Sequence, residues 1–176
     1  MGIKNEVIEA IKSRRSVRKF KPDQIRKDEL DAVLEAGTYA PTGGGSQSPV
    51  IIAVQDPATI QELIKMNASV LGSSGNPYYD APTIVLVLAS PKTRATFVED
   101  GACVLQNMML AAHSIGLGSC WIHREKEMFN SPEGKALLKK WKVAEEFTGV
   151  GALALGYPAA SPGVAAKRKE SYIVKV

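Results

Sequence analysis

Between Glu99 and Ile115 the sequence is too apolar for a helix that meets a core on one side only. Ala102, Val104, Leu105, Met108, Met109, Leu110, Ala111, Ala112 and Ile115 fall at helical spacing but cover more than one stripe. Such a helix is buried on several sides, and Gly116 supplies its C′ stop. A chain of 176 residues makes one domain, 1–176, with a real core but little room to enclose a whole helix. Part of this surface is therefore expected against a partner subunit.

Around that helix the other elements are readable from caps and apolar runs. Asn5 caps a first helix with Val7, Ile8 and Ile11 on one face, ending near Ser13. Asp28 opens a second, with Leu30, Val33 and Leu34 as its stripe, and Pro41 stops it. Pro49 to Val54 and Thr83 to Ala89 read as buried strands, and Pro57 begins a helix between them. Ser119 to Ile122 is a short strand, 131–142 a helix, Gly149 to Leu155 a strand, and Tyr172 to Val176 an edge strand. Strands that alternate irregularly with helices make an α+β layer fold.

The apolar fraction of 45% excludes disorder. No apolar run approaches the ~20 residues of a membrane span, and the start MGIKNEVIEAIKSRR has no signal-peptide core, so a cytoplasmic protein is expected. Cys103 and Cys120 fit neither a CxxC nor a metal-ligand pattern and read as reduced thiols; with only His113 and His123 present, a His-rich metal site is not expected. His113 reads as a core or interface residue rather than a catalyst. Charge is uneven. Residues 1–27 hold nine Lys/Arg against three acids and 135–176 eight against three, while 28–134 hold five against twelve, a balance of +6, −7, +5. Positive potential at both ends suits an anionic ligand gripped by both, or else two solvated basic faces.

The sharpest motif is Arg14-Arg15-Ser16-Val17-Arg18. Extended backbone would put Arg14, Ser16 and Arg18 on one face, two guanidinium forks and a hydroxyl within about 14 Å at ~3.4 Å per residue. That matches an elongated anion ending in phosphate, which guanidinium binds bidentately. A nucleic-acid module over residues 12–27 is a rival reading, though Phe20 is the only aromatic in that run. The loop Pro41-Thr42-Gly43-Gly44-Gly45-Ser46-Gln47 lacks the Lys-Ser/Thr of a P-loop. Gly149-Val150-Gly151-Ala152-Leu153-Ala154 matches a dinucleotide fingerprint only formally, because its glycines sit within an apolar strand and no helix follows.

In order along the chain, R-R-S-V-R at 14–18, A-P-T-G-G-G-S-Q-S-P at 40–49, D-G-A-C-V-L-Q-N-M-M-L-A-A-H-S-I-G-L-G-S-C-W-I at 100–122 and K-R-K at 167–169 resemble the FMN-dependent nitroreductase family. The resemblance implies an α+β homodimer with a mostly antiparallel central sheet, a C-terminal strand extending onto the partner subunit, and FMN in the interface. It implies hydride transfer from NADH or NADPH through FMN to nitro compounds, quinones or similar small-molecule acceptors, in a ping-pong cycle. Arg14, Arg15, Ser16 and Arg18 match the family's N-terminal FMN motif, with Arg14 on phosphate and Arg18 nearer the flavin pyrimidine. Pro41, Thr42, Gly43 and Gln47 match the loop that reaches the flavin from the other subunit. Trp121, Ile122 and His123 match the segment running past the flavin ring. Lys167 and Lys169 match a basic pair near the phosphate, with Arg168 a rival for the second place. Gly45 stands where members often carry Asn, and Gln47-Ser48-Pro49 replaces Gln-Pro-Trp. Within the same resemblance lies an alternative role in dehalogenation, flavin storage or flavin breakdown. Neither a metal nor a catalytic side chain is implied, because the chemistry belongs to the cofactor.

Overall fold

The computed structural model describes residues 3–176. Strands β1 (Val50–Val54), β2 (Thr83–Ala89), β3 (Gly118–Ile122) and β4 (Thr148–Gly156) form one sheet in the order β1-β2-β4-β3, and every neighbouring pair is antiparallel. Helices α2 (Lys27–Thr38) and α4 (Phe97–Ser114) cover one face. Helices α3 (Pro57–Leu71), α5 (Glu125–Asn130) and α6 (Pro132–Lys140) cover the other. The first helix, α1 (Glu6–Ser13), lies at the periphery against α4. Among the described residues no helix is long and apolar enough to cross a membrane.

The double cover explains why β2 is an unbroken apolar run after Thr83. All seven of its residues are buried. Ile84, Leu86 and Leu88 pack with α3, α5 and α6, while Val85 and Val87 pack with α2 and α4. Strand β1 departs from its reading as a buried strand: only Val54 is buried, because β1 is at the sheet's edge with one neighbour. On α4, Val104, Leu105, Met108, Met109 and Ala112 reach the core, whereas Val98, and Ile115 just past its end, remain exposed.

Caps decide the helix ends. Asn5 Oδ1 accepts the Ile8 N–H at 2.8 Å, as expected. Helix α2 opens at Lys27, one residue before the Asp28 expected, with the Arg26 N–H donating to Glu29 at 3.0 Å from the cap position. Asp56 caps α3 ahead of Pro57. After α4, Gly116 takes φ +83° and the Leu117 N–H returns to the Ala112 carbonyl at 2.8 Å, closing the helix as read.

The short helix α5 is absent from the sequence reading, and the expected terminal strand is a correction. Glu170–Tyr172 forms a 3-10 turn, and 173–176 pair with nothing among the described residues. A strand exists only through a ladder partner, and the described residues offer Ile173 and Val174 none.

Helix α4 meets the sheet through Gly101, where a Cβ would stand 2.6 Å from Val150 Cγ2 and 2.9 Å from its Cβ. Alanine ordinarily favours a helix by ~1 kcal/mol over glycine, but overpacking a rigid core site costs ~1–3 kcal/mol. Gly101→Ala should therefore lower the urea midpoint of unfolding, and adding Val150→Ala should restore part of the loss. A Gly101→Ala protein as stable as the parent would contradict this contact.

Candidate functional site

The motif at 14–18 leaves α1 as extended backbone and docks beside the sheet. Ser16 forms a parallel bridge with Ser119, and the Val17 N–H donates to the Ser119 carbonyl at 3.0 Å. Further on, the Lys21 N–H donates to Tyr157 and the Ala159 N–H to the Lys19 carbonyl, both at 2.9 Å. Backbone hydrogen bonds thus join residues 17–21 to β3 and to the chain just past β4. Val17 turns inward onto Gly118, whose missing Cβ makes room 2.9 Å from it. Arg14, Ser16 and Arg18 turn outward into a cleft of about 840 Å³ that Arg15 and Arg168 also line.

This cleft is electrostatically unbalanced. Burial, and then the neighbouring Arg15, push the Arg14 guanidinium below its ordinary pKa. Arg14 Nη1 and Arg15 Nε are buried with no hydrogen-bond partner among the described residues. Arg15 Nη1 is anchored, donating to the Lys12 and Arg14 carbonyls at 2.7 and 2.6 Å. Arg18 is exposed, its guanidinium carbon 6.0 Å from the centre of the Tyr79 ring. Cys120 is buried, and burial pushes its thiol above the ordinary value more than Arg18, Ser16 and Arg14 pull it down. That is the environment of an inert thiol.

The remaining expected site residues are spread over separate places. Thr42 and Gln47 line a second cleft, of about 290 Å³, with the end of α2, β1 and Val104. Gly43 is held from α4, its N–H donating to Asp100 Oδ1 at 2.9 Å, and Pro41 is exposed. The Trp121 indole lies over Gly151, and its buried Nε1 has no partner among the described residues. His123 is exposed, with ring centres 5.7 Å from Trp121. Ile122 points into the core, so only its backbone is free to meet a ligand. Lys167 stands 3.7 Å from Glu170, and both Lys167 and Lys169 are exposed; Arg168 is the one of the three in the Arg14 cleft.

Behind the 121–124 segment lies a buried polar network that sequence reading missed. Asn67, fully buried, donates to the His123 carbonyl at 2.9 Å and to Glu125 Oε1 at 3.3 Å, and accepts from Arg124 Nε at 2.7 Å. Tyr78 Oη donates to Glu125 Oε1 at 3.0 Å. Arg124 sits at φ +86°, a left-handed turn that these bonds hold in place. His113 accepts or donates at 2.8 Å with Ser13, tying α4 to α1 as a structural residue.

Burial pushes the Glu125 carboxyl up to about 7, against the pull of Tyr78, Arg124 and Asn67. The folded state therefore holds a proton that the unfolded chain releases near 4.5. The corresponding stability is fully present below pH 4.5 and is lost as pH rises to about 7, on the order of 3 kcal/mol. Glu125→Gln should flatten the fall in melting temperature between pH 5 and 8 and be the more stable form at pH 8. Parallel pH profiles for the two proteins would refute the assignment.

Comparison with known proteins adds the last finding. A family profile described as "Nitroreductase family" matches residues 11–157. A crystallised nitroreductase with bound FMN from Bacteroides fragilis NCTC 9343 is 36% identical, superposes with a TM-score of 0.90, and is covered over 98% of this chain and 100% of its own. A protein of Methanothermobacter thermautotrophicus, provisionally named NADH dehydrogenase/NAD(P)H nitroreductase, is 28% identical over 163 residues, 91% of this chain and 81% of its own. A nitroreductase with bound FMN from Desulfitobacterium hafniense DCB-2, 23% identical, shares the fold with a TM-score of 0.86 over 99% and 100% of the two chains.

Proposed function

Because the chain belongs to the nitroreductase family, we propose that it is an FMN-dependent oxidoreductase. It takes hydride from NADH or NADPH and passes electrons to nitro compounds, quinones or similar acceptors, by a ping-pong cycle. The observation that carries the reading is the pair of buried guanidinium N–H groups, on Arg14 and Arg15, that lack acceptors in a cleft built from both basic ends of the chain. A buried charged donor without a partner is costly, and a phosphate monoester supplies the acceptors this pair lacks. The residues fit the phosphate tail of FMN.

When bound, FMN supplies the hydride acceptance and the onward electron transfer, a chemistry that needs no protein nucleophile. The chain's own residues bind and orient. Arg14 and Ser16 hold the phosphate, with Arg15 kept in place by its bonds to the Lys12 and Arg14 carbonyls. Arg168 reinforces the same anion site, with Lys167 and Lys169 beside it in the exposed tail. Arg18 stands further along the face and supplies positive charge that favours the reduced cofactor. Trp121, Ile122 and His123 offer main-chain groups along the ring, held by Asn67 from behind. Thr42, Gly43 and Gln47 complete the site from a second copy, which reconciles their separate cleft with a shared ligand.

A homodimer is supported by surfaces that one chain leaves open. Helix α1 buries none of its residues although Val7 and Ile11 share a face; they are 66% and 53% exposed. Tyr172, Ile173 and Val174 are exposed as well, in the tail that would add a strand to the partner. Exposed apolar clusters of this kind mark an interface.

An absorbance spectrum of the purified protein, taken before and after NADPH, tests the reading: a flavin spectrum bleached by the nicotinamide and restored by a nitro compound or quinone is expected. Flavin that no nicotinamide reduces would instead favour storage or breakdown. Arg14→Ala should fold yet purify largely colourless, with FMN binding weakened about 10- to 100-fold, the loss of one charged hydrogen bond of ~1.5–3 kcal/mol. A fully yellow variant would remove Arg14 from the phosphate. Sedimentation should show a dimer, and Val7→Asp with Ile11→Asp should yield monomers that hold FMN poorly.

A further inference from the structure

We propose that Asp100 is the positioning residue of the Gly43–Ser48 loop, clamping it to the first turn of α4 in the shape that presents Thr42, Gly43 and Gln47 to the cofactor. The proposal rests on the FMN-binding reading above. The loop is poorly able to hold its own shape. Gly44, Gly45 and Gln47 all adopt positive φ, +61°, +66° and +48°, and for Gln47 that conformation is strained. Its internal bonds are few: Gly45 N–H to the Thr42 carbonyl at 2.9 Å, Ser46 N–H to the Gly43 carbonyl at 3.3 Å, and Gln47 N–H to Thr42 Oγ1 at 2.9 Å.

Asp100 supplies the ties from outside. Its Oδ1 accepts the Gly43 N–H at 2.9 Å and its Oδ2 accepts the Ser48 hydroxyl at 3.3 Å, so one carboxylate grips the loop at both ends. Asp100 is 4% exposed and Ser48 8%. Among the described residues no cation stands within ion-pair distance of Asp100. A buried carboxylate is tolerated only where donors and a helix N-terminus compensate its desolvation, and here the donors are the loop itself. The coupling is mutual. If the loop leaves, a charge is stranded; if the charge is removed, the loop loses both anchors. A Cβ at 43 would overlap the Thr96 hydroxyl, one turn before Asp100, so a larger residue there needs Thr96 to turn aside.

The test compares the full chain with Asp100→Ala, Asp100→Asn and Ser48→Ala. Two quantities are read: hydrogen exchange of the Gly43 amide without cofactor, and the FMN dissociation constant by flavin fluorescence. Asp100→Ala should free the Gly43 amide and weaken FMN binding about tenfold or more, while the melt stays cooperative. Asparagine keeps an acceptor for Gly43 and can donate to Ser48, so Asp100→Asn should stay within about threefold of the parent. Ser48→Ala cuts one tie and leaves the carboxylate, and should weaken FMN binding by about threefold, which keeps the test decisive should Asp100→Ala not fold. Parental FMN affinity in both Asp100→Ala and Ser48→Ala, or a Gly43 amide still protected in Asp100→Ala, overturns the clamp. A parent protein that takes up no FMN overturns the functional reading instead, and the exchange measurement still decides whether Asp100 holds the loop.

Discussion

Backbone hydrogen bonds between residues 17–21 and the far end of the sheet are what allow this chain to concentrate positive charge. Arg14 and Arg15 repel one another, and Arg14 loses hydration by partial burial. Neither would hold its place on a mobile terminus. The Val17 N–H on Ser119, the Lys21 N–H on Tyr157 and the Ala159 N–H on the Lys19 carbonyl fix the segment at both ends of its exposed face. Val17, packed on Gly118, fixes its register, since a slip by one residue would exchange the buried and outward faces. The cost of crowding guanidinium groups is therefore met by ordinary sheet physics before any ligand arrives. That is preorganisation in a simple form: an anion meets donors that are already gathered.

Where one physical term dominates, the fold was legible from residues alone. Strand β2 reads as a buried strand because both its faces are covered, so every position answers to hydrophobic burial. Gly116 and Asn5 read correctly because a left-handed residue and a side-chain cap are local matters. The extended run at 14–18 was legible for a similar reason: extended backbone puts Arg14, Ser16 and Arg18 on one face and turns Val17 to the other, onto Gly118. The glycines of β4 show the same discipline in reverse. Gly149 and Gly151 admit the Glu125 backbone and the Trp121 indole, so their GxGxxA pattern records close packing and not a nucleotide turn.

What could not be read depends on partners distant in sequence. Asp100 lies in the first turn of α4, and its tie to Gly43 spans 57 positions. Glu125, on a helix of six residues, carries no periodic signal, and its partners Asn67 and Tyr78 lie 58 and 47 positions away. Strand β1 was misread as buried because its composition suits either place, and edge position is a property of topology. The tail at 172–176 has the composition of a strand but no ladder within its own chain. In each case a pairwise interaction, rather than a local preference, sets the outcome.

The distribution of open groups follows a single logic. One chain leaves unsatisfied guanidinium groups in one cleft, a clamped glycine loop bordering a second, an amphipathic helix with no buried residue, and an apolar tail without a ladder. Each feature is costly in isolation, through desolvated charge, backbone strain or exposed apolar surface. A second copy that laid its loop against the first chain's cleft, and its tail against an open sheet edge, would relieve several of these costs through one interface. Assembly and cofactor binding would then stabilise the same arrangement, so each should raise the affinity of the other by the same factor. The dimer would be part of the binding site, with FMN the ligand that makes two half-sites worth bringing together.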